Sequence, residues 1–513
     1  MKLKDILVCL LSAILLVLSL PNINLEFFAW FAFVPFFFAL DGKGPLGSFG
    51  CGFLTGFASF LGALYWIIVA VHTYGYIPLV PSGLILLLLV GYLSLFYGVF
   101  ALVHRFLRQR LGSHQAVFLA PCVWVSLEYL RSFFLTGFPW AMVGHTQYLN
   151  LAFVQMADLT GVYGLSFVIL LINATVYLIL REGSLRRFPY RAGAMTVIVL
   201  LASLIYGYTR IHAIDRKVSQ QPVLKVAVTQ GNIDQSIKWD ESFQKQTLKI
   251  YERLSLRVAQ ERPDLIIWPE TATPFFFQDA KEYQSLVLNI PRETGAYLLF
   301  GSPSYTVKGQ KVSHYNSTYL ISPGGEIVGK YDKIHLVPFG EYVPLKDLLF
   351  FMGSLGEGIG DFKSGKEATL LSLPQARFGV VICFEIIFPD LCRQFVRRGA
   401  DFLVTLTNDA WFRRTSAPYQ HMAIATFRAV ENRVFIARAA NTGISGFIDP
   451  KGKIMNHGGI FTEDALNGTI RRMNEKTFYT LYGDVFAWVC VATTVFALGA
   501  AILRKGRQKE EGR

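Results

Sequence analysis

At 513 residues, 52% hydrophobic and 17% charged, the chain carries less charge than the roughly 25% usual in globular domains, which points to membrane spans rather than a wholly soluble fold. Its net charge of +13 would suit nucleic acid, but the Lys and Arg residues fall in short loops between apolar runs rather than on one face, so no nucleic-acid partner is expected. Six scattered cysteines show no CxxC or zinc spacing and no disulfide framework, although Cys383 and Cys392 could pair.

Apolar runs of about 17–25 residues predict spanning helices. Seven precede residue 212, near 5–20, 24–40, 49–70, 82–103, 115–130, 160–180 and 193–209, and an eighth lies near 483–503. The first follows Lys2 and Lys4, as a signal peptide would. No small-x-small cleavage site follows it and further spans come at once, so a retained helix is predicted. Basic residues mark alternate loops: Lys2 and Lys4, then Arg105, Arg108 and Arg110, then Arg181, Arg186, Arg187 and Arg191, then the tail from Arg504. That bias places both termini in the cytoplasm and residues 212–482 outside. Glu128 lies within the fifth run, where it either pairs with Arg131 near the interface or serves a function. The stretch GFPW (137–140) reads as an interfacial loop, with Trp140 a belt anchor or a lipid contact.

From about residue 224 the texture changes. Short β-rich runs at 226–230, 264–268, 297–301, 318–322, 379–383, 402–407 and 435–439 alternate with helix-compatible stretches at 240–262, 279–294, 388–398 and 419–432. Such alternation predicts a layered α/β domain. The predicted organisation is therefore a polytopic α-helical membrane domain of about eight spans (1–211, with a last helix at 483–503) and an α/β catalytic domain at 220–472.

Chemistry-bearing residues sit where apolar strands stop. GVVICFE (379–385) ends a strand in a thiol, Cys383, followed by Phe384 and Glu385. A thiol on a sharp strand-end turn is presented as a nucleophile, although one cysteine alone reads as readily as a core residue. LIIWPET (265–271) ends a second apolar run in Glu270, and KYDKIHLVPFGEYVP (330–344) carries Lys333 and Glu341. Each charge alone would pass as solvated surface; three such strand ends together suggest a site. The apolar stretches 275–277 and 345–355 read either as arms dipping into a leaflet or as core, and Gly353, Gly356, Gly358 and Gly360 would suit a lid.

With its Glu, Lys and Cys in this order, the region 224–470 resembles the carbon–nitrogen hydrolase (nitrilase) superfamily. With the apolar runs around it, the whole chain is similar to the apolipoprotein N-acyltransferase family. The resemblance rests on TQGNIDQSIKWD (229–240), WPET (268–271), KIHLVPFGEYVP (333–344), ICFEIIFPD (382–390), TNDAWF (407–412) and GFPW. It implies an αββα sandwich, with Cys383 as nucleophile, Glu270 as general base and Lys333 facing the oxyanion. Glu341 and Glu385 would be supporting carboxylates, and Trp239, Phe384, Trp411 and Trp140 substrate contacts. Related acyltransferases often have Tyr where this chain has Phe384, so no phenolic role is expected there. The implied reaction transfers a fatty chain from a phospholipid, through a Cys383 thioester, to the α-amine of a diacylglyceryl-modified apolipoprotein. It implies no cofactor or metal, a monomer, and a bacterial inner membrane with the catalytic domain on the periplasmic side. Lys333 would also lower the thiol's proton affinity. Two other readings use the same features: a membrane-anchored amidase or nitrilase hydrolysing a C–N bond, and a transporter or receptor whose outer domain only binds ligand.

Overall fold

In the computed structural model, residues 1–183, 190–342 and 362–510 are described. The stretch 345–355 and the glycines after it lie outside them. The chain divides into two compact units, one of Met1–Tyr65, Gly83–His212 and Tyr482–Arg513, the other of Trp66–Ser82 and Ala213–Leu481.

The first unit is helical. Among the described residues five helices are long and apolar enough to cross a membrane: Pro45–Leu64, Leu79–Leu111, Val162–Glu182, Tyr190–Ser219 and Val485–Arg504. Three of the eight expected spans fall short of that measure. Leu3–Leu18 has 16 residues, about 24 Å of helix against a hydrocarbon core near 30 Å. The run at 24–40 breaks into a short 3₁₀ turn, Glu26–Trp30, and the seven-residue helix Phe33–Ala39. Ser113–Arg131 is long enough but is diluted by His114, Gln115, Glu128 and Arg131. Val162–Glu182 is the central helix, 78% buried along its apolar window against 22% for Tyr190–Ser219. Its Asn173 takes the Phe33 N–H and donates to the Ala29 carbonyl, which ties down the broken segment. Glu128 accepts the Val143 N–H at 2.9 Å, and Arg131 donates to the Trp140 carbonyl at 2.8 Å. Together they clamp the loop that carries GFPW, so both charges anchor backbone.

Among the described residues the second unit holds two six-stranded sheets. The strands are β1 (Val223–Gln230), β2 (Leu265–Ile267), β3 (Tyr297–Lys308), β4 (Lys311–Ile321), β5 (Ile327–Asp332), β6 (Leu370–Leu373), β7 (Ala376–Ile382), β8 (Phe402–Thr407), β9 (Phe435–Ala440), β10 (Gly446–Ile448), β11 (Ile454–His457) and β12 (Asp464–Arg471). The sheet orders are β12-β1-β2-β3-β4-β5 and β6-β7-β8-β9-β10-β11. In both, the first pair is antiparallel, the next two parallel and the last two antiparallel. The domain is thus an internal repeat in which β12 plays for one sheet the part of β6 in the other. The sheets meet through β1 and β9.

Helices cover the outer faces. Glu241–Ala259 and Lys281–Thr294 bury an apolar stripe on the first sheet, where Trp268 stacks on Tyr251 at 4.9 Å and donates to Ser255. Phe277 is fully buried in that core, Phe275 packs on it, and Phe276 lies between the rings of Tyr305 and His314. The stretch 275–277 is therefore packing within the domain. Pro389–Arg397 and Ala417–Asn432 cover the second sheet. Residues 66–70, expected as the end of the third span, fold with this unit instead. The helix Pro45–Leu64 stops before them, and Trp66 and Tyr74 set their ring edges against Phe412 and Trp411, at 4.9 and 5.7 Å.

Candidate active site

The parallel strands run the same way, so their C-terminal ends gather chemistry at one edge. β7 stops at Ile382, and Cys383 adopts φ +52°, the left-handed region. For a non-glycine residue that conformation costs about 1–3 kcal/mol and persists only where its surroundings impose it. They do so on both sides. The Ile382 N–H donates to Glu385 at 2.7 Å, and the Cys383 carbonyl lies 3.2 Å from Nε2 of His421. A carbonyl can only accept, so Nε2 carries the proton. Cys383 and Cys392 are both free thiols, the latter buried.

Glu270 follows β2. Its Oε1 accepts from Asn316 at 2.8 Å and lies 3.6 Å from the Lys333 ammonium; its Oε2 accepts the Asn408 N–H at 3.0 Å. Gly301 on β3 permits this turn, because a Cβ there would come within 2.7 Å of the Glu270 Cα. Lys333, the residue after β5, also donates to Glu341 at 2.9 Å, and Asn316 bridges Glu270 and Glu341 through one amide nitrogen. Glu270, Lys333, Glu341 and Asn316 are thus one cluster.

Glu385 stands apart from that cluster. Fully buried, it accepts from Tyr331 OH, Ile334 N, His335 N and Ile382 N at 2.7–3.0 Å. It staples the backbone beside Lys333 to the backbone beside Cys383. Burial pushes its carboxyl up to about 7 against the pull of those donors.

Lys333 lowers the thiol's proton affinity as expected, but other groups outweigh it. The Cys383 thiol is pushed well above its ordinary value: burial is the largest cause and the Glu270 carboxylate adds to it, outweighing Lys333. Lys333 is itself raised, because Glu341 and Glu270 overcome the cost of its burial. Its charge is largely answered by carboxylates.

The sequence-predicted aromatics occupy different settings. Trp239 is 51% exposed. Phe384 and Trp411 are half-buried, the first edge-on to Phe388 at 5.2 Å and the second against Tyr74. Trp140 lies in the helical unit, buried and stacked on Phe138 at 6.2 Å.

Sequence reasoning missed four groups. Asn316 sits mid-strand in the β3–β4 hairpin. Asn408 holds Glu270 with its N–H while its side chain meets Gln235 and Asn441. Lys238, 2% exposed, donates to the Glu270 carbonyl at 3.2 Å. Behind the thiol, Asp409, His421 and Arg438 form a buried network, with Asp409 accepting from Arg438 at 2.8 Å and Thr407 at 2.9 Å. His421 Nδ1 lies 3.1 Å from both Asp409 Oδ1 and the Arg438 guanidinium, and burial and Arg438 hold the imidazole below its ordinary value. Asp409 and Asn408 lie in TNDAWF and Lys238 in QSIKWD, so the motifs held the signal but not the contacts.

Comparison with known proteins agrees with this architecture. Residues 12–175 match the apolipoprotein N-acyltransferase N-terminal domain family, and residues 225–476 match the carbon–nitrogen hydrolase family. The chain is 46% identical over 510 residues to the apolipoprotein N-acyltransferase of Geobacter metallireducens, covering 98% of this chain and 96% of that protein. It is 33% identical over 531 residues to that of Chlorobaculum tepidum, covering 97% and 96%. A helical N-terminal region and a carbon–nitrogen hydrolase domain in one chain, aligned end to end with such relatives, place the chain in the apolipoprotein N-acyltransferase family.

Proposed function

We propose that the protein moves a fatty acyl chain from a membrane phospholipid to the α-amine of a diacylglyceryl-cysteine at an apolipoprotein N-terminus, with Cys383 as the covalent carrier. The observation that carries this reading is Cys383 on a left-handed strand-end turn, with Glu270 and Lys333 3.6 Å apart and both acting on its thiol. In the first half-reaction Glu270 takes the thiol proton as sulfur attacks the ester carbonyl. The oxyanion faces the Lys333 ammonium, a donor worth roughly 2.7–4 kcal/mol in such sites. Collapse passes the proton from Glu270 to the leaving glyceryl alcohol and releases a lysophospholipid. The acceptor amine then attacks the thioester and becomes an amide.

Asn316 and the Asn408 N–H orient Glu270, Glu341 balances Lys333, and Glu385 and His421 hold the nucleophile's backbone. Trp239, with half its surface open, is suited to a substrate chain, and Phe384, next to Cys383, and Trp411 add half-buried apolar surface. The alternating basic loops support both termini in the cytoplasm and the catalytic unit on the periplasmic side of a bacterial inner membrane. Membrane-spanning helices around the catalytic sequence favour a lipid donor over a small soluble amide.

In proteoliposomes of phosphatidylethanolamine with a diacylglyceryl-cysteine peptide, one lysophospholipid is expected for each peptide N-acylated. Ammonia released from simple amides, with no lysophospholipid, would instead identify a C–N hydrolase.

A further inference from the structure

Two amines are buried beside Glu270, and their surroundings differ. Lys333 touches two carboxylates and stays charged. Lys238 forms no ion pair among the described residues; its one hydrogen bond goes to the Glu270 main-chain carbonyl. The turn that carries it is pinned from below, because Asn441 accepts the Ile233 N–H and donates to the Ile233 carbonyl. The titratable groups acting on Lys238 are Glu270 and Cys383, both favouring its charge, yet burial outweighs them and brings it down to about 8. When two like groups in one site are driven apart in this way, they divide acid–base labour.

The second half-reaction has a task for such an amine. The acceptor arrives as an α-ammonium, since α-amines have pKa near 7.7–8.0, and it must shed two protons to become an amide. Glu270 can account for one, taken from nitrogen during attack and handed to the departing sulfur. Another must leave before attack, to free the lone pair. We propose that Lys238 is the second proton acceptor of the site, taking the first proton from the acceptor's ammonium so that the free amine can attack the Cys383 thioester. The balance closes: neutral Lys238 becomes an ammonium, the C–N bond forms, the C–S bond breaks, and the thiolate leaves as a thiol with the proton Glu270 carried. Lys238 then returns its proton to water. This assignment rests on the thioester reading above.

The test separates the two half-reactions in full-length protein. Lys238→Arg keeps a donor for the Glu270 carbonyl but cannot act as a base; Lys238→Met keeps the length and has no nitrogen. Each is loaded with acyl chain from phosphatidylethanolamine and then chased with a diacylglyceryl-cysteine peptide or with hydroxylamine, an amine uncharged at neutral pH. In both variants transfer to the peptide at pH 7 should fall about tenfold relative to thioester formation, because about a tenth of an α-amine with pKa near 7.7–8.0 is already free at that pH. Hydroxylamine should clear the thioester at the wild-type rate, and the peptide deficit should narrow toward pH 9 as the acceptor deprotonates in solution. Wild-type transfer in both variants, or equal slowing toward peptide and hydroxylamine, would overturn the assignment. A wild-type protein that never forms the thioester would overturn the reading beneath it.

Discussion

Lys333 sits within reach of two carboxylates, and that arrangement decides what its loss would do. Without it, Glu270 and Glu341 would share Asn316 with no cation between them, and the thiol would rise further for want of its main lowering influence. Lys333→Ala should therefore slow thioester formation about 100- to 1,000-fold, while the protein still inserts into membranes at wild-type levels. Near-normal rates in a single-turnover acylation assay would remove Lys333 from the mechanism. Glu270 and Cys383 stand out in the sequence because each follows an apolar strand run, and Lys333 because it precedes the apolar stretch closed by Pro338 and Gly340. Lys238 and Asn316 do not. A lysine in a polar stretch has the signature of solvated surface whether or not it is buried, and Asn316 reaches Glu270 only through the register of a long hairpin.

The turn after β7 is held as a unit by the strand, turn and helix around it. The helix Ala417–Asn432 supplies His421, the turn after β8 supplies Asp409, and β9 supplies Arg438. Asp409 is held at about 2, below the ordinary 3.8, because Arg438, His421 and Thr407 together outweigh its burial. A carboxyl so depressed contributes stability above about pH 4 and loses it as pH falls through about 2, in all about 2 kcal/mol. Asp409→Asn leaves Arg438 buried without its partner and should destabilise the domain by about 3–5 kcal/mol at pH 7. The gap to wild type in thermal melts should narrow as pH is lowered from about 4 toward 2; a gap that is constant with pH would contradict the ionised assignment. The long parallel strands and their helices are readable from alternating apolar runs. β5, β6, β10, β11 and β12 are not, being short, half-exposed or at sheet edges, where hydropathy is weak. Residues 66–70 mislead for the opposite reason: they extend the apolar run of Pro45–Leu64, while the helix ends at Leu64 and Trp66 sets its ring edge against Phe412.

At the scale of the molecule, helices apolar enough to cross a bilayer are joined to a sandwich built from a repeated six-stranded pattern. The repeat was hidden in the sequence because equivalent strands differ in length and composition, and β12 closes the first sheet from the far end of the domain. Three of the eight apolar runs fall below the measure of a spanning helix, because Leu3–Leu18 is short, the run at 24–40 breaks between Trp30 and Phe33, and Ser113–Arg131 has polar ends. The family match ties both units to acyl transfer. What gives the second unit a use at a membrane is a sulfur able to hold a fatty chain between donor and acceptor. Intact-mass analysis of purified wild type and Cys383→Ala after incubation with phospholipid tests this most directly. A fatty-acyl adduct, removed by hydroxylamine, should appear on wild type alone. N-acylated peptide accumulating while neither protein is ever acylated would contradict the account.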